Sequence, residues 1–372
     1  MPDVTETFDV VILGGGPAGA ATALSLREHN PALSLAIIES SAYERPRIGE
    51  TLPPNAEPLL RQLGIWESFL QEEHAAAYGT CSTWGSAELL GNDFFYQPYN
   101  RGWHLDRRRF DALLVREAEK RGVALRTNAV LQSSERHGSD LWRLTINSAG
   151  QEMLLQASFV VDATGRRALF ATQRGVRKIV LDHLLGVFLF FGSAARANDQ
   201  TLVEAWAEGW WYSALLPDAC LVAACMTDGD IVKKLRLKSA ANWFERVQET
   251  LYTKQRLTAA VPLGEPSVHA AHTQRLERVT GAGWLAAGDA ASVFDPLSSQ
   301  GITKALRSGL WASYAICDHF KGTRAGLEKY ETLIAREFKG YLATRAEYYG
   351  QERRWHGSPF WQRRHEAKDL FT

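Results

Sequence analysis

The run Phe8-Asp9-Val10-Val11-Ile12-Leu13 breaks off into Gly14-Gly15-Gly16-Pro17-Ala18-Gly19, and no other segment restricts the chain so tightly. Its β-branched apolar residues read as a buried strand, and the glycines as the tight turn that ends it. Residues Ala20 to His29 are helix formers with apolar positions on a helical period, so the turn opens a helix. In Gly14-x-Gly16-x-x-Gly19 the first glycine permits the turn and the second lets backbone approach a pyrophosphate. The third lets helix and strand pack closely, and the helix N-terminus favours phosphate charge. Leu35 to Ile38 supplies the next strand, and Glu39 closes it 20 residues after Gly19. An acid there reaches a ribose hydroxyl and disfavours a 2′-phosphate. This unit binds an adenine dinucleotide; it does not separate NAD from FAD.

At 372 residues the chain exceeds a usual single domain and is expected to form two interwoven lobes. Lys plus Arg and Asp plus Glu both count 42, which gives no electrostatic reason to expect nucleic acid or an anionic membrane as partner. The acidic opening MPDVTETFD lacks the apolar core of an export signal. The longest apolar run, Leu184 to Gly192, has the length of a buried strand, well short of the ~20 residues of a membrane span. A cytoplasmic protein is expected. Cys81, Cys220, Cys225 and Cys317 match neither zinc nor disulfide spacing, so they read as ordinary, mostly buried thiols, and no metal site is expected.

Arg45-Pro46-Arg47-Ile48-Gly49-Glu50-Thr51-Leu52-Pro53-Pro54 is rich in turn residues and reads as a loop shaped for contact. Strand-like Trp103-His104-Leu105-Asp106 then passes into an amphipathic helix that Asp106 or a neighbour caps. Arg107, Arg108 and Arg109 crowd its first turn, where the macrodipole disfavours cations, so a cofactor phosphate or acidic neighbours must compensate. Phe159 to Asp162 is a further strand, ending in a turn at Gly165. Gly283-Trp-Leu-Ala-Ala-Gly288-Asp289 repeats the strand-and-turn theme, and a loop from Phe294 to Gly301 leads into a long helix. Free N–H groups at that helix start suit electron-rich ring atoms. Together, the two glycine turns point to a flavin.

At these residues the chain resembles the flavoprotein monooxygenases of the p-hydroxybenzoate hydroxylase fold. The carriers are Gly14-Gly-Gly-Pro-Ala-Gly19, Glu39, Arg107 with Phe110-Asp111, Asp162-Ala-Thr-Gly165, and Gly288-Asp289 followed by Pro296-Leu-Ser-Ser-Gln-Gly301. Within that superfamily Arg47-Ile-Gly-Glu-Thr-Leu-Pro-Pro54, Asp295-Pro-Leu-Ser-Ser-Gln-Gly-Ile302 and Gly209-Trp-Trp-Tyr-Ser-Ala-Leu-Leu-Pro217 resemble the tryptophan-halogenase-like branch. The resemblance implies FAD as cofactor. Gly14, Gly16, Pro17, Ala18, Gly19 and Arg107 are implied at the pyrophosphate, Glu39 at the adenosine ribose, and Asp289 at the ribityl chain. Gly301 and Ile302 are implied against the flavin ring, with Arg47, Ile48 and Gly49 near it. Ser40, Val130, Gly288 and Pro296 complete the implied cofactor set. The implied fold is α/β. A Rossmann-type FAD-binding lobe (1–75, 101–170, 275–320) interweaves with an antiparallel β-sheet substrate lobe (76–100, 171–274), followed by a C-terminal helical segment (321–372).

Two departures shift the expected chemistry. Halogenases of this kind carry a lysine a few tens of residues after the Gly-Glu element, and the stretch from Glu50 to Arg101 contains no lysine. Their W-x-W-x-I-P signature is replaced by Trp210-Trp211-Tyr212-Ser213. The weight moves to hydroxylation of an aromatic, indole-type substrate, which the resemblance runs through reduction of FAD, a flavin C4a-hydroperoxide and attack by the arene. The chain is similar to flavoproteins that mature tryptophylquinone enzymes by oxygenating a tryptophan of a precursor protein, so a partner polypeptide is expected. The run from Arg353 to His365, arginines alternating with aromatics, suits docking.

Because no second G-x-G-x-x-G follows a strand, a separate flavin reductase and direct reduction by NAD(P)H both remain open. Of 12 tryptophans, Trp84, Trp210 and Trp211 are the candidates to line an aromatic pocket, against plain sheet packing. Glu50, His104 and Asp295 are candidates for proton handling; no catalytic base follows from the sequence. Halogenase, small-molecule aromatic hydroxylase, geranylgeranyl-type flavin reductase and non-catalytic FAD-dependent binding partner remain as alternatives.

Overall fold

A computed structural model describes residues 4–138, 141–192 and 200–366. The strand Val4–Leu13 lies between two parallel neighbours, Leu35–Ile38 and Gln151–Asp162. Val10, Val11 and Ile12 are fully buried, which is why this strand shows no polar alternation. The order across this sheet is 280–281, 284–286, 151–162, 4–13, 35–38 and 124–126, with the hairpin Ala129–His137/Leu141–Ser148 continuing from 151–162. Strands 4–13, 151–162 and 284–286 run parallel, so their C-terminal ends, and the turns at Gly14, Asp162 and Gly288, gather at one edge.

The helix Pro17–His29 packs against the long helix Gly301–Phe320. They approach so closely that a Cβ on Gly309 would stand 2.5 Å from the Ala18 carbonyl oxygen. Ser25 and Ser313 hydroxyls hydrogen-bond across the same contact at 2.6 Å. The helix that follows the first glycine turn and the helix that follows the 294–301 loop are thereby locked side by side.

A second large sheet has the order 261–262, 184–192, 221–228, 209–215, 201–206, 79–83 and 90–93, with 267–270 also paired to 184–192. It is antiparallel except where Thr201–Trp206 runs parallel to Gly79–Thr83, a departure from the purely antiparallel lobe expected. Its two faces are both covered. Leu184, Phe188, Trp210, Val222, Ala224 and Met226 face one side, while Val187, Leu189, Phe191, Trp211, Ala223 and Cys225 face the other, beneath Trp243 and Val247 of the helix Ala240–Val247.

The helices Ala325–Gln351 and Pro359–Glu366 close the first of these faces: Tyr349, Phe360 and Trp361 are at most 1% exposed. Within the arginine and aromatic run expected to dock a partner, Phe360, Trp361 and Arg364 are built into the core, while Arg353, His356 and Arg363 stay exposed. Arg364 pairs with Asp228, and Arg363 with Asp228 and Asp230. The small sheet of Thr51–Leu52, Gly102–His104 and Ala75–Ala77 ties the turn-rich loop to the base of the hairpin that carries 79–83 and 90–93. All four cysteines are free thiols, and no helix among the described residues is long and apolar enough to cross a membrane.

Candidate functional site

The first glycine turn is shaped by contacts that leave no room for side chains on one face. Gly14 adopts φ +108°, and a Cβ there would lie 2.2 Å from the Ala163 carbonyl oxygen. A Cβ on Gly19 would meet the Gly14 carbonyl oxygen at 1.9 Å. At Gly16 a Cβ would meet nothing within 4 Å, so the loop offers bare backbone on its outer face. That is the cradle a pyrophosphate requires, with Pro17 and Ala18 opening the helix behind it.

Glu39 is 4% exposed and anchors the turn. Its Oε2 accepts the Gly15 N–H at 2.9 Å, while Oε1 accepts from the Ser41 N–H, the Ser40 and Ser41 hydroxyls and Arg47 Nη2. Burial works against ionisation, yet the Ser41, Gly15 and Arg47 donors hold the carboxyl below the usual glutamate range. Oε1 is saturated, and Oε2, with one donor, keeps a lone pair for a hydroxyl. Val130 lies nearby on the strand that begins at Ala129, whose N–H binds the Glu39 carbonyl, and is 40% exposed.

Arg107 spends four of its five N–H groups on the protein: two on Asp111, and two on the carbonyls of Ile48 and Gly49. Asp111 is fully buried and also accepts from Arg47 at 3.1 Å. The pattern Arg107-x-x-Phe110-Asp111 thus braces the 47–50 loop against the helix Arg107–Lys120, one turn apart on the same face. Acidic neighbours compensate the crowded arginines: Asp106 caps the helix through the N–H groups of Arg108 and Arg109 and pairs with the Arg108 side chain, and Glu72 pairs with Arg109.

At the second turn Gly288 adopts φ +63°, and its N–H donates to the Ser308 hydroxyl. A Cβ there would press to 2.6 Å from that of Ala18, so this turn touches the start of the first helix. Asp289 keeps 39% of its side chain accessible and accepts from Lys304 Nζ at 2.8 Å. Lys304, 1% exposed, also donates to the Ser292 carbonyl and lies 4.7 Å over the Phe294 ring. Burial opposes the Asp289 charge, but Lys304, Arg166 and Arg107 together hold its carboxyl below the ordinary value.

Asp295 caps the turn Pro296–Ser298, Ser299 takes a left-handed conformation, and Gly301 and Ile302 open the long helix with Gly301 exposed. Asp295 itself is 1% exposed and committed to Leu297 N, Arg345 and the Tyr349 hydroxyl.

Ile48 of the 47–50 loop, Phe190, Tyr212 and Cys220 of the second sheet and its turn, and Leu297 of the 295–301 loop are partly buried and pack against the same inner-face cluster, giving an apolar wall. Glu50 is beside it, 2% exposed, with Oε1 buried and without a partner. Burial pushes its pKa up to about 7 against the pull of Arg107 and of nearby backbone N–H groups. Tyr212 hydroxyl pairs with Thr51 at 3.1 Å.

Four sequence candidates are placed differently from what was expected. Trp211 lies on the outer face of the second sheet, fully buried and edge-on to Trp243 at 5.0 Å, so it cannot line a pocket on the inner face. Trp210 is on the inner face but 1% exposed, its indole N–H donated to Tyr349. Trp84 donates to the Tyr348 carbonyl and packs on Tyr349 and Trp361. His104 is a structural tie, bonded to the Leu215 carbonyl and Thr201, and burial lowers its pKa to about 4.

Residues that sequence reasoning passed over include Ser41, Arg166, Tyr212 and Lys304. For Lys304 a signal existed, since it interrupts the apolar start of an otherwise buried helix. Among the described residues no group of His, Cys, Asp and Glu could hold a metal ion.

A sequence profile described as FAD binding domain matches residues 7–336. The FAD-dependent oxidoreductase LodB of Marinomonas mediterranea is 31% identical over 374 residues, covering 98% of this chain and 99% of LodB. The fold is similar to that of the myxobacterial chondrochloren halogenase CndH, with a TM-score of 0.89 and 22% identity over 98% of this chain and 89% of that one. It is also similar to QhpG, described as a peptidyl tryptophan dihydroxylase essential for tryptophylquinone cofactor biogenesis, with a TM-score of 0.75 and 24% identity over 96% of this chain and 78% of QhpG.

Proposed function

The chain belongs to the FAD binding domain family, in its tryptophan-halogenase-like branch, and is a flavin-dependent enzyme; on that premise we propose that it hydroxylates an indole-type ring. The ring proposed is a tryptophan side chain of a precursor protein, and the product a step toward a tryptophylquinone. One observation carries the choice of oxygen over halogen. Lys304 is the one lysine buried among the described residues, and it is consumed by Asp289 and the Ser292 carbonyl. The descriptions of LodB as an oxidoreductase and of QhpG as acting on peptidyl tryptophan support the same reading.

FAD, when bound and reduced, supplies the activation of dioxygen. The residues present fit it: open backbone at Gly16 and Gly301, a lone pair on Glu39 Oε2, and an accessible Asp289. The Gly14 to Gly19 turn and its helix hold the pyrophosphate, Glu39 the ribose, and Asp289 the ribityl hydroxyls. Arg47 and Arg107 fix the 47–50 loop, and the apolar wall excludes water and positions the arene. Electrons come from a separate flavin reductase or directly from NAD(P)H.

The test is co-expression with a tryptophan-containing precursor polypeptide from a neighbouring gene, followed by intact mass measurement of that precursor. The expected result is a gain of one or two oxygen atoms at a tryptophan. An unchanged precursor while a free arene is turned over rejects the peptidyl substrate, and a gain dependent on bromide or chloride rejects hydroxylation.

A further inference from the structure

The second sheet treats its two edges differently. One edge is divided between two short strands on Leu184–Gly192, the two-residue Val261–Pro262, where proline removes a donor, and Ser267–Ala270. At the other edge lies Leu90–Asp93, with all four residues exposed and neither lysine nor proline among them. Its partner is Gly79–Thr83, in the antiparallel register Gly79↔Asp93 to Ser82↔Leu90. Phe94 N–H donates to the Tyr78 carbonyl, which makes 94/78, 92/80 and 90/82 the hydrogen-bonded pairs. Gly91 therefore turns its N–H and C=O, and Asp93 its N–H, away from the sheet, while the Asp93 carbonyl opens the turn Phe94–Tyr96. A Cβ on Gly91 would meet nothing within 4 Å, so this edge is open to an approaching backbone.

The surroundings are aromatic. Of the 14 large hydrophobic side chains exposed among the described residues, six lie between Tyr78 and Tyr99; Phe95 is 71% and Tyr96 87% exposed. A groove of about 420 Å³ beside the strand is lined by Tyr78, Asp93, Phe95, Asn100 and Arg101. Tyr78 and Arg101 directly follow and precede Ala77 and Gly102, which pair in the small sheet. The third strand of that sheet, Thr51–Leu52, adjoins Glu50. The groove is thus continuous with the scaffold of the candidate site.

We propose that the strand Leu90–Asp93 and its aromatic groove dock an extended segment of the protein substrate by β-strand addition. The inference rests on the peptidyl reading above. The backbone of the segment pairs with the N–H and C=O of Gly91 and the N–H of Asp93, and alternate side chains lie over Phe95 and Tyr96 or enter the groove, so the edge supplies affinity and the groove selectivity. Free edge donors and acceptors match an extended polypeptide, whereas a free indole has no use for them. A second copy of this chain is the competing occupant, and the experiment separates the two.

Gly91→Pro removes an outward N–H that pairing with Gly79–Thr83 does not use, and Phe95→Ser/Tyr96→Ser strips the aromatic cover. Both are compared with the wild-type holoenzyme on the precursor of the co-expression test, across precursor concentrations. The expected result is a fall of at least about tenfold in kcat/KM, carried by KM, the loss of more than about 1.4 kcal/mol that an interface hot spot gives. Flavin content, melting temperature and NAD(P)H oxidation without precursor stay unchanged.

Unchanged kcat/KM in both variants overturns the docking site and leaves the peptidyl reading standing. Light scattering that finds a wild-type dimer, split by Tyr96→Ser without change in precursor turnover, assigns the edge to a second copy and also overturns it. Wild-type protein that leaves the precursor mass unchanged overturns the parent reading and the docking with it.

Discussion

Glu50→Gln changes the protein by one atom at a buried position, and its effect on stability is calculable. The wild-type carboxyl is 2% exposed, and burial lifts its pKa from the ordinary 4.5 to about 7. A raised acid binds its proton more tightly in the folded state than in the unfolded chain. The contribution is therefore complete below pH 4.5 and is lost as pH climbs through 7. At about 1.4 kcal/mol per pH unit, the wild type forfeits about 3 kcal/mol relative to the glutamine variant between pH 4 and pH 8. With about 2.1 cal/mol/K of unfolding entropy per residue over 372 residues, that corresponds to about 4 °C in Tm. Scanning calorimetry of both holoproteins at half-unit pH steps measures the difference directly, since the lowered pKa values of His74 and His104 are common to both. The variant is expected to equal the wild type near pH 4 and to exceed it by about 4 °C at pH 8. Two Tm curves that run parallel from pH 4 to pH 8 would refute an elevated carboxyl at Glu50.

Two further outcomes follow from the site. Asp289→Ala removes the partner of buried Lys304 and is expected to cost about 3–5 kcal/mol and to strip the yellow flavin spectrum from the purified protein; Asp289→Ala/Lys304→Met recovers the stability but not the flavin, and a double variant that stays yellow defeats the ribityl assignment. Trp211→Ala is expected to cost about 3–5 kcal/mol in urea unfolding while leaving KM for the precursor unchanged below its transition, because the ring packs on the outer face; a shift in KM would return Trp211 to the substrate pocket.

The dinucleotide half of the fold was legible because its signals are local. Gly14, Gly16 and Gly19 are dictated by backbone contacts within one strand-turn-helix unit, and Glu39 is held by a neighbour at each step: Gly15, Ser41, Arg47. The pairing of Arg107 with Asp111 spans one helical turn and is likewise a short-range pattern. What the sequence hid was direction. Trp210 and Trp211 are adjacent, and which of them faces inward depends on the strand's register with Leu221–Asp228, since one residue of slip exchanges the faces. Nothing near residue 210 records that register. The arginine-aromatic tail divides for a similar reason: Arg353, His356 and Arg363 lie at the surface, while Asp228, more than 130 residues away, supplies the charge that buries Arg364.

The loop from Asp295 to Gly301 shows how far a motif can depend on distant chain. Its residues resemble a family signature, yet its position is set by the helix Ala325–Gln351. Tyr341 hydroxyl accepts the Asp295 N–H and its ring stacks on Phe294 at 4.0 Å; Arg345 bridges Asp295 to Asp182; Tyr349 donates to Asp295 and accepts from Trp210. Tyr341, Arg345 and Tyr349 fall at intervals of four, a single stripe on one helix face. Asp182 precedes the second sheet and Trp210 belongs to it, so the stripe fastens loop, helix and sheet at one carboxylate. Burial raises the Asp295 pKa while Arg345 opposes it. A charge so enclosed survives only with its partners in place, because an unpaired buried carboxylate costs several kcal/mol. The motif therefore specifies the turn, and a stripe some 45 residues downstream specifies where the turn stands against the flavin lobe.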